Sequence, residues 1–311
     1  MIDLQNVTKR YGELTALDDL TLHIGEGEVF GFIGPNGAGK STTMKILACL
    51  SKPDSGSARL SGLDVMTEGA RIRTLVGYMP DFLGVYDDLT VDEYLQFFAS
   101  AFKLPRARRR TVVDSVLELT DLVEKKHAMV DSLSRGMQQR LGVARVLIHE
   151  PRVLLLDEPA SGLDPRARIE MRELLTELGR MGKTIMVSSH ILSELAEMCS
   201  SIGIIERGKL LYAGSIQEAY ARAGGSERVS VTLEEGGSTA EQVLASLANH
   251  PLVSHAVREN GQLIIDLRPE SRSHHELIQA LVASGARIGS FTPKQIKLED
   301  AFLRLTKGAL N

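Results

Sequence analysis

The sequence GPNGAGKS at residues 34–41 is the strongest structural signal in this chain. It fits the pattern G-x-x-x-x-G-K-[ST], it follows the apolar run EVFGFI (28–33), and the helical pattern MKILACL (44–50) comes after it. Glycines in this pattern allow backbone N–H groups to curl around phosphate oxygens, and the helix that follows points the positive end of its dipole at them. The sequence therefore predicts a phosphate-binding loop between a strand and a helix.

The loop residues have expected roles in binding a nucleotide. Lys40 is predicted to reach the β- and γ-phosphates, and Ser41 is predicted to ligate Mg²⁺. We therefore expect ATP and Mg²⁺ as cofactors. The residues expected to surround the phosphates are Gly34, Pro35, Asn36, Gly37, Ala38, Gly39, Lys40, Ser41 and Thr42.

A second motif, VLLLDEP (153–159), supplies the acids that such a site needs. Its apolar run is typical of a buried strand, and Asp157 stands at the end of that strand, where it suits Mg²⁺ directly or through water. Glu158 comes one residue later, and it is predicted to polarise a water molecule for attack on the γ-phosphate.

The order of predicted elements divides the chain. Residues 1–33 indicate short strands separated by turns, and residues 132–190 alternate between helix and fully apolar strands that suit a buried parallel sheet. A change of sequence pattern at the small and polar segment AGGSE (223–227) predicts a domain boundary. Beyond it the order strand, helix, two strands, helix, strand indicates a ferredoxin-like domain, and a last amphipathic helix is predicted over LEDAFLRL (298–305).

Four further segments stand in order along the chain. They are KRYG (9–12) with Tyr11, LSRGM (133–137), SGLD (161–164) and VSSH (187–190) with His190. With the two motifs above, this ordered set resembles the ATP-binding subunits of ABC transporters over residues 1 to about 222. LSRGM is similar to the LSGGQ signature of that family, and we call residues 133–137 the signature segment.

The resemblance implies roles for these residues. Tyr11 would stack on adenine, and His190 would contact the γ-phosphate, so the implied catalytic residues are Lys40, Glu158 and His190. In the family, the signature of one subunit completes the ATP site of another. Ser134 and Gly136 would therefore bind ATP held by a second chain, and Asp164 would link the two sites. The partner would be a second copy or another ATP-binding subunit.

The sequence departs from the family pattern at three positions. Arg135 replaces the first glycine of the signature, and Met137 replaces its glutamine. In GYMPD (77–81), Asp81 stands where the family has a glutamine, so we expect its carboxylate to reach Mg²⁺ or the attacking water. The alternative for Asp81 is a solvated turn residue.

Composition narrows the class of protein. The chain has 311 residues, a formal net charge of −4 and 43% hydrophobic residues, which fits a globular protein without the basic footprint of a nucleic-acid binder. The sequence shows no apolar run of membrane-spanning length and no signal-peptide core, so we expect a cytoplasmic chain. The resemblance then implies a peripheral position on the cytoplasmic face of the membrane, against a separate polytopic permease.

These observations predict an α/β fold. We expect a P-loop NTPase core with a mainly parallel sheet, an N-terminal antiparallel β subdomain and a helical insertion near residues 88–150, followed by a small ferredoxin-like α+β domain. The expected domains are 1–222, which binds ATP, and 226–311, which is accessory. The implied function is ATP hydrolysis that powers transport, with export favoured. The alternative is a soluble ABC-type ATPase that acts on ribosomes or DNA.

Overall fold

The structure is a computed structural model that describes residues 1–82, 84, 86, 88–222, 228–248, 250–268 and 273–294. The chain forms two compact units, Met1–Ile216 and Gln217–Asn311. The predicted boundary at 223–227 and the predicted last helix at 298–305 lie outside the described residues.

The first unit begins with a four-stranded antiparallel sheet in the order β2-β1-β4-β5. Its strands are β1 (Ile2–Tyr11), β2 (Leu14–Ile24), β4 (Ser55–Leu60) and β5 (Leu63–Asp64). The prediction of short strands here was wrong for the first two, which form one long hairpin that turns at Gly12, where φ is 59°. The β1–β2 register is irregular between Leu4 and Arg10. An irregular register disturbs the simple alternation of apolar and polar residues that indicates a strand in the sequence.

A six-stranded sheet follows, in the order β10-β9-β3-β8-β7-β6. Its strands are β3 (Val29–Ile33), β6 (Val76–Met79), β7 (Val153–Leu156), β8 (Thr184–Ser189), β9 (Ser201–Glu206) and β10 (Lys209–Ser215). All neighbouring pairs are parallel except β9 and β10, which form an antiparallel hairpin. Every residue of β7 and β8 is buried, as their apolar runs predict for a sheet covered on both faces.

The helices of this unit are α1 (Lys40–Leu47), α2 (Gly69–Leu75), α3 (Val91–Ala101), α4 (Arg106–Leu119), α5 (Arg135–Leu147), α6 (Pro165–Arg180) and α7 (Leu192–Ala196). Another helix, α8 (Ile216–Arg222), begins at the last residue of the unit. Helices α3, α4 and α5 lie between β6 and β7 in the chain, and they pack on one another. Among the described residues, no helix is both long and apolar enough to cross a membrane.

Parallel pairing brings three chain segments to one edge of the central sheet. Strand β8 lies between β3 and β7, with Ile33 opposite Ser189 and Leu156 opposite Val187. The loops that leave the carboxyl ends of β3, β7 and β8 therefore emerge side by side. In open α/β sheets this edge is where ligands bind.

The second unit contains a four-stranded antiparallel sheet in the order β12-β13-β11-β14, with two helices. Its elements are β11 (Arg228–Leu233), α9 (Ala240–Leu247), β12 (Val253–Glu259), β13 (Gln262–Leu267), α10 (His274–Ala283) and β14 (Ile288–Lys294). Val231, Ile265 and Leu277 are fully buried in its core. This element order and strand order confirm the predicted ferredoxin-like arrangement.

Candidate active site

The glycine-rich loop after β3 is shaped by close backbone approaches. A side chain at Gly34 would overlap the carbonyl oxygen of Ile205, and a Cβ at Gly39 would lie 2.7 Å from the carbonyl oxygen of Ala16. Gly39 also has φ of 113°, a region that L side chains rarely adopt. It is the N-cap of α1, and no side chain among the described residues caps that helix. The first N–H groups of α1 are therefore left for a ligand.

Lys40 opens α1 and is only 5% exposed. Its ammonium donates hydrogen bonds to the carbonyl oxygens of Gly34 (2.6 Å) and Pro35 (3.3 Å), so the loop itself folds around the charge. Its Nζ also lies 3.3 Å from Oε1 of Glu158. A buried ammonium needs such partners, and phosphate oxygens are stronger ones than the two carbonyls.

The two acids after β7 are held by one serine from β8. The hydroxyl of Ser188 donates to Oδ1 of Asp157 (2.7 Å) and accepts the backbone N–H of Glu158 (2.9 Å). Asp157 is 2% exposed and Ser188 is fully buried. Glu158 has φ of 52°, a left-handed conformation that is uncommon for glutamate and that turns the chain sharply after the strand.

Glu158 has a second side-chain partner, because Nδ1 of His190 lies 2.8 Å from its Oε2. Its other oxygen, Oε1, has no hydrogen-bond partner among the described residues, although Lys40 is close. The imidazole of His190 is 47% exposed at the surface of the site. These contacts bring together Lys40, Glu158 and His190, the three residues predicted to be catalytic.

The oxygen ligands predicted for Mg²⁺ fit that ion chemically. Among the described residues, no three histidine, cysteine, aspartate or glutamate side chains converge to form a metal cage. Mg²⁺ is commonly held by one or two carboxylates together with substrate phosphates, rather than by an all-protein cage. Asp157, at the strand end, and Ser41, in the first turn of α1, are suitable protein ligands for that arrangement.

Asp81 follows β6 and is exposed as a whole, although neighbouring atoms bury part of its carboxyl group. Partial burial raises the pKa of its carboxyl above the ordinary value, and the negative charges of Asp157 and Glu158 raise this pKa further. The cations Arg135 and Lys40 act in the opposite direction. Asp81 therefore lies within electrostatic reach of Asp157 and Glu158.

The signature segment and the SGLD segment lie against each other, and the N–H of Ser161 donates to the carbonyl oxygen of Glu158 at 3.0 Å. Ser134 is the exposed N-cap of α5, and its Oγ accepts the N–H of Met137 at 3.3 Å. The guanidinium of Arg135 packs over Gly162, and a Cβ at Gly136 would lie 2.8 Å from Cβ of Ala167. Asp164 caps α6 by accepting the N–H of Ala167 at 3.0 Å.

Tyr11 lies at the end of β1 and is 48% exposed. Its hydroxyl is 3.5 Å from Oγ of Ser51. An exposed aromatic ring of this kind offers a face on which a base can stack.

Sequence reasoning missed Ser188, which positions both acids of the DEP motif. The available signal was the pair of serines that ends the apolar strand directly before His190. Two hydroxyls at the carboxyl end of a buried parallel strand require partners, and the neighbouring strand end supplies Asp157.

Comparison with known proteins agrees with this geometry. A family described as "ABC transporter" matches residues 17–161. "Nod factor export ATP-binding protein I" of Ralstonia nicotianae is 36% identical, over 98% of this chain and 94% of the relative. "Linearmycin resistance ATP-binding protein LnrL" of Bacillus subtilis is 30% identical, over 98% of both chains.

A solved structure, the ATP-binding cassette MJ0796 in a dimeric post-hydrolysis state bound to ADP and Pi, is also similar. It has 29% sequence identity and a TM-score of 0.63, and the match covers 69% of this chain and 98% of the cassette. The two long relatives share nearly the whole chain, and the solved cassette shares the fold that holds the phosphate loop. This chain therefore belongs to the ABC transporter family, as one of its ATP-binding, ATP-hydrolysing subunits.

Proposed function

We propose that this chain hydrolyses ATP at the Lys40–Glu158–His190 cluster and thereby powers export through a separate membrane permease. The observation that carries this proposal is the position of Glu158. Its carboxylate lies between a buried lysine of the phosphate loop and an exposed histidine, at the edge of the sheet where ligands bind.

ATP binding follows from the groups around the loop. Lys40 would exchange its two carbonyl partners for the β- and γ-phosphates, and the first N–H groups of α1 would bind phosphate oxygens. Tyr11 would stack on the base. Ser41 and Asp157 would hold Mg²⁺, which neutralises charge on the phosphates when bound.

Hydrolysis follows from the two oxygens of Glu158. In this proposal Glu158 accepts a proton from the attacking water, or orients that water, while His190 holds the carboxylate and contacts the γ-phosphate. Ser188 and the left-handed backbone fix the direction of the carboxylate. Such preorganisation costs stability at the site and lowers the barrier for the reaction.

The signature segment supports a composite site. Ser134 is exposed at the start of α5, and its hydroxyl can donate to a phosphate while it accepts from Met137. We propose that Ser134 and Gly136 bind ATP held by a second chain, with Asp164 linking the two sites. The similar solved cassette is a dimer, which supports a head-to-tail dimer here, either of two copies or with another ATP-binding subunit.

The domain division also belongs to this proposal. Residues 1–222 would form the ATP-binding domain, with the helical insertion near 88–150, and residues 226–311 would form an accessory domain. The groups that support catalysis all lie in the first unit. In the second unit, the prominent charged contact is Arg228 with Asp266 (2.7 Å), which joins two neighbouring strands.

Asp81 is proposed to move in towards Mg²⁺ or the attacking water when ATP closes the site, while its loop contacts the permease. Its electrostatic link to Asp157, Glu158 and Arg135 supports this role. Asp81→Ala is expected to change basal hydrolysis only modestly and to abolish most of the stimulation by the permease. ATPase rates with and without the membrane partner in lipid measure this, and equal stimulation of both proteins would contradict the role.

The transport function is tested by identifying what the chain binds in the cell. The relatives are named as export and resistance ATP-binding proteins, which supports a polytopic exporter as partner and a peripheral position on the cytoplasmic face of the membrane. A polytopic protein that co-purifies from membranes and stimulates the ATPase in lipid would support the proposal. Ribosomes or DNA as the stable, stimulating partner would overturn it.

A further inference from the structure

Strand β1 places Lys9 and Tyr11 on the same side, because alternate residues of a strand point the same way. The ammonium of Lys9 lies over the ring of Tyr11, 5.4 Å from its centroid. A cation at this distance is attracted to the electron-rich face of the ring. One face of Tyr11 is therefore occupied by a charge from its own strand.

Lys9 is itself held in place by Asp54, which follows α1 in the chain. Its Nζ lies 2.9 Å from Oδ1 of Asp54, and the Lys9 side chain is only 14% exposed. The other oxygen of Asp54 accepts the backbone N–H of Arg10 at 2.6 Å. The bonds from Lys9 and from the Arg10 backbone lower the pKa of Asp54, so the carboxylate is ionised at neutral pH.

The segment that carries Asp54 is tied to the helix of the phosphate loop. The N–H of Asp54 donates to the carbonyl oxygen of Thr8, and the N–H groups of Leu50 and Ser51 donate to the carbonyl oxygen of Lys45 near the end of α1. Tyr11 closes the arrangement through its hydroxyl, 3.5 Å from Oγ of Ser51. These contacts fix the position of the Tyr11 ring relative to α1, the helix whose first turn belongs to the proposed phosphate site.

We propose that Lys9 and Asp54 are positioning residues for the base of the bound nucleotide: they fix the ring of Tyr11 so that its uncovered surface receives one base. The proposal rests on the proposed function, specifically on Tyr11 as the residue that stacks on the base. A preorganised ring loses less rotational freedom when the base arrives, which favours binding.

A competing explanation is that Lys9 attracts the nucleotide through its charge alone. The two explanations differ for Asp54→Asn. That substitution keeps the ammonium and removes a negative charge, so a purely electrostatic Lys9 would bind ATP at least as well. A positioning Lys9 would be released from the ring, and binding of ATP would weaken.

The test compares two probes, ATP and inorganic tripolyphosphate, which has no base. Dissociation constants are measured by calorimetry, and melting temperatures check that each variant is folded. Lys9→Met and Asp54→Asn are each expected to weaken ATP binding about two- to fivefold, the scale of an exposed cation–π contact, and to leave tripolyphosphate binding unchanged. Lys9→Arg should retain ATP affinity, because a guanidinium also stacks on a tyrosine ring.

Two further variants serve as references. Lys126→Met removes the same charge from an ion-paired lysine in the helical insertion. It should leave the affinities for ATP and for tripolyphosphate unchanged. In Tyr11→Ala, ATP binding should weaken by about five- to a hundredfold with tripolyphosphate unaffected, and adding Lys9→Met to this variant should have no further effect.

Several results would overturn the proposal. If Lys9→Met weakens the binding of ATP and of tripolyphosphate equally, Lys9 acts by charge. The same conclusion follows if Asp54→Asn leaves the affinity for ATP unchanged. If Tyr11→Ala weakens ATP binding and Lys9→Met does not, the positioning role is rejected, while base stacking on Tyr11 still holds. If Tyr11→Ala binds ATP normally, base stacking itself fails, and the positioning role fails with it.

Discussion

The amino-terminal ends of α1 and α5 both carry a motif predicted to bind phosphate, but they are built differently. Helix α1 follows a glycine loop, and among the described residues no side chain caps it. Helix α5 follows Ser134, whose hydroxyl accepts the N–H of Met137. The first N–H groups of α1 thus have no side-chain cap and are available to a ligand, whereas α5 has a hydroxyl cap of its own and presents that cap at the surface.

The side chains near the two ends differ as well. Near the start of α1, Nζ of Lys40 lies 3.3 Å from Oε1 of Glu158, and Nδ1 of His190 lies 2.8 Å from Oε2 of the same carboxylate. At α5, the nearby cation is Arg135, which packs over Gly162. In the proposed function, the α1 end supplies both binding and chemistry to a nucleotide, and the α5 end supplies binding alone. Charges near both helix ends act on Asp81. Its carboxyl pKa is shifted by Lys40, Asp157 and Glu158 near α1 and by Arg135 at α5.

The largest effect is expected from a change that stops the chemistry at α1 and leaves both helix ends intact. Glu158→Gln should lower the rate of ATP hydrolysis by about 10²–10⁴-fold, because the amide cannot accept a proton from water. ATP binding should persist, and a stable ATP-bound dimer should accumulate. Phosphate release and size-exclusion chromatography measure these outcomes, and near-normal turnover would remove Glu158 from its assigned role.

A smaller effect is expected from weakening the α1 end itself. Lys40→Ala should weaken ATP binding about ten- to a hundredfold, because charge-assisted bonds to the phosphates are lost in the ground state. Lys45→Ala is the matched control, since it removes an exposed lysine from the last turn of the same helix. Calorimetric titration with ATP compares the two, and equal affinities would contradict the site.

The smallest effect concerns Asp81 and its neighbours. Its folded-state pKa is raised above 3.8, so the ionised form is disfavoured in the folded chain at neutral pH. Asp81→Asn should therefore raise the melting temperature slightly without nucleotide at pH 7. The gain should disappear as the pH falls through the raised pKa, since Asp81 is then protonated. A melting temperature that falls at pH 7 would contradict the repulsion from Asp157 and Glu158.

Much of this comparison was predictable from sequence. The apolar runs before Gly34, Asp157 and His190 identified three buried strands, and their parallel pairing brings the predicted residues to one edge of the sheet. The order of elements likewise predicted the ferredoxin-like arrangement. Local sequence patterns are sufficient to predict these features, because the hydrophobic periodicity of each segment indicates its element type and its burial.

Other contacts could not be predicted because they depend on the register of distant segments. Ser188 meets Asp157 across 31 residues, and Lys9 meets Asp54 across 45. The left-handed backbone of Glu158 has no sequence signal, since glutamate seldom adopts it. The packing of Arg135 over Gly162 likewise joins two loops whose approach is set by the helices that follow them.

The central claim is that hydrolysis needs the α1 end of one chain and the α5 end of another. The direct measurement is the ATPase rate per chain as a function of protein concentration, with sedimentation recording the oligomeric state at each point. We predict that the rate per chain rises as ATP-bound dimers form, and that Ser134→Arg binds ATP as a monomer yet neither dimerises nor hydrolyses it at any concentration. Full specific activity in a strictly monomeric, highly diluted sample would contradict the account.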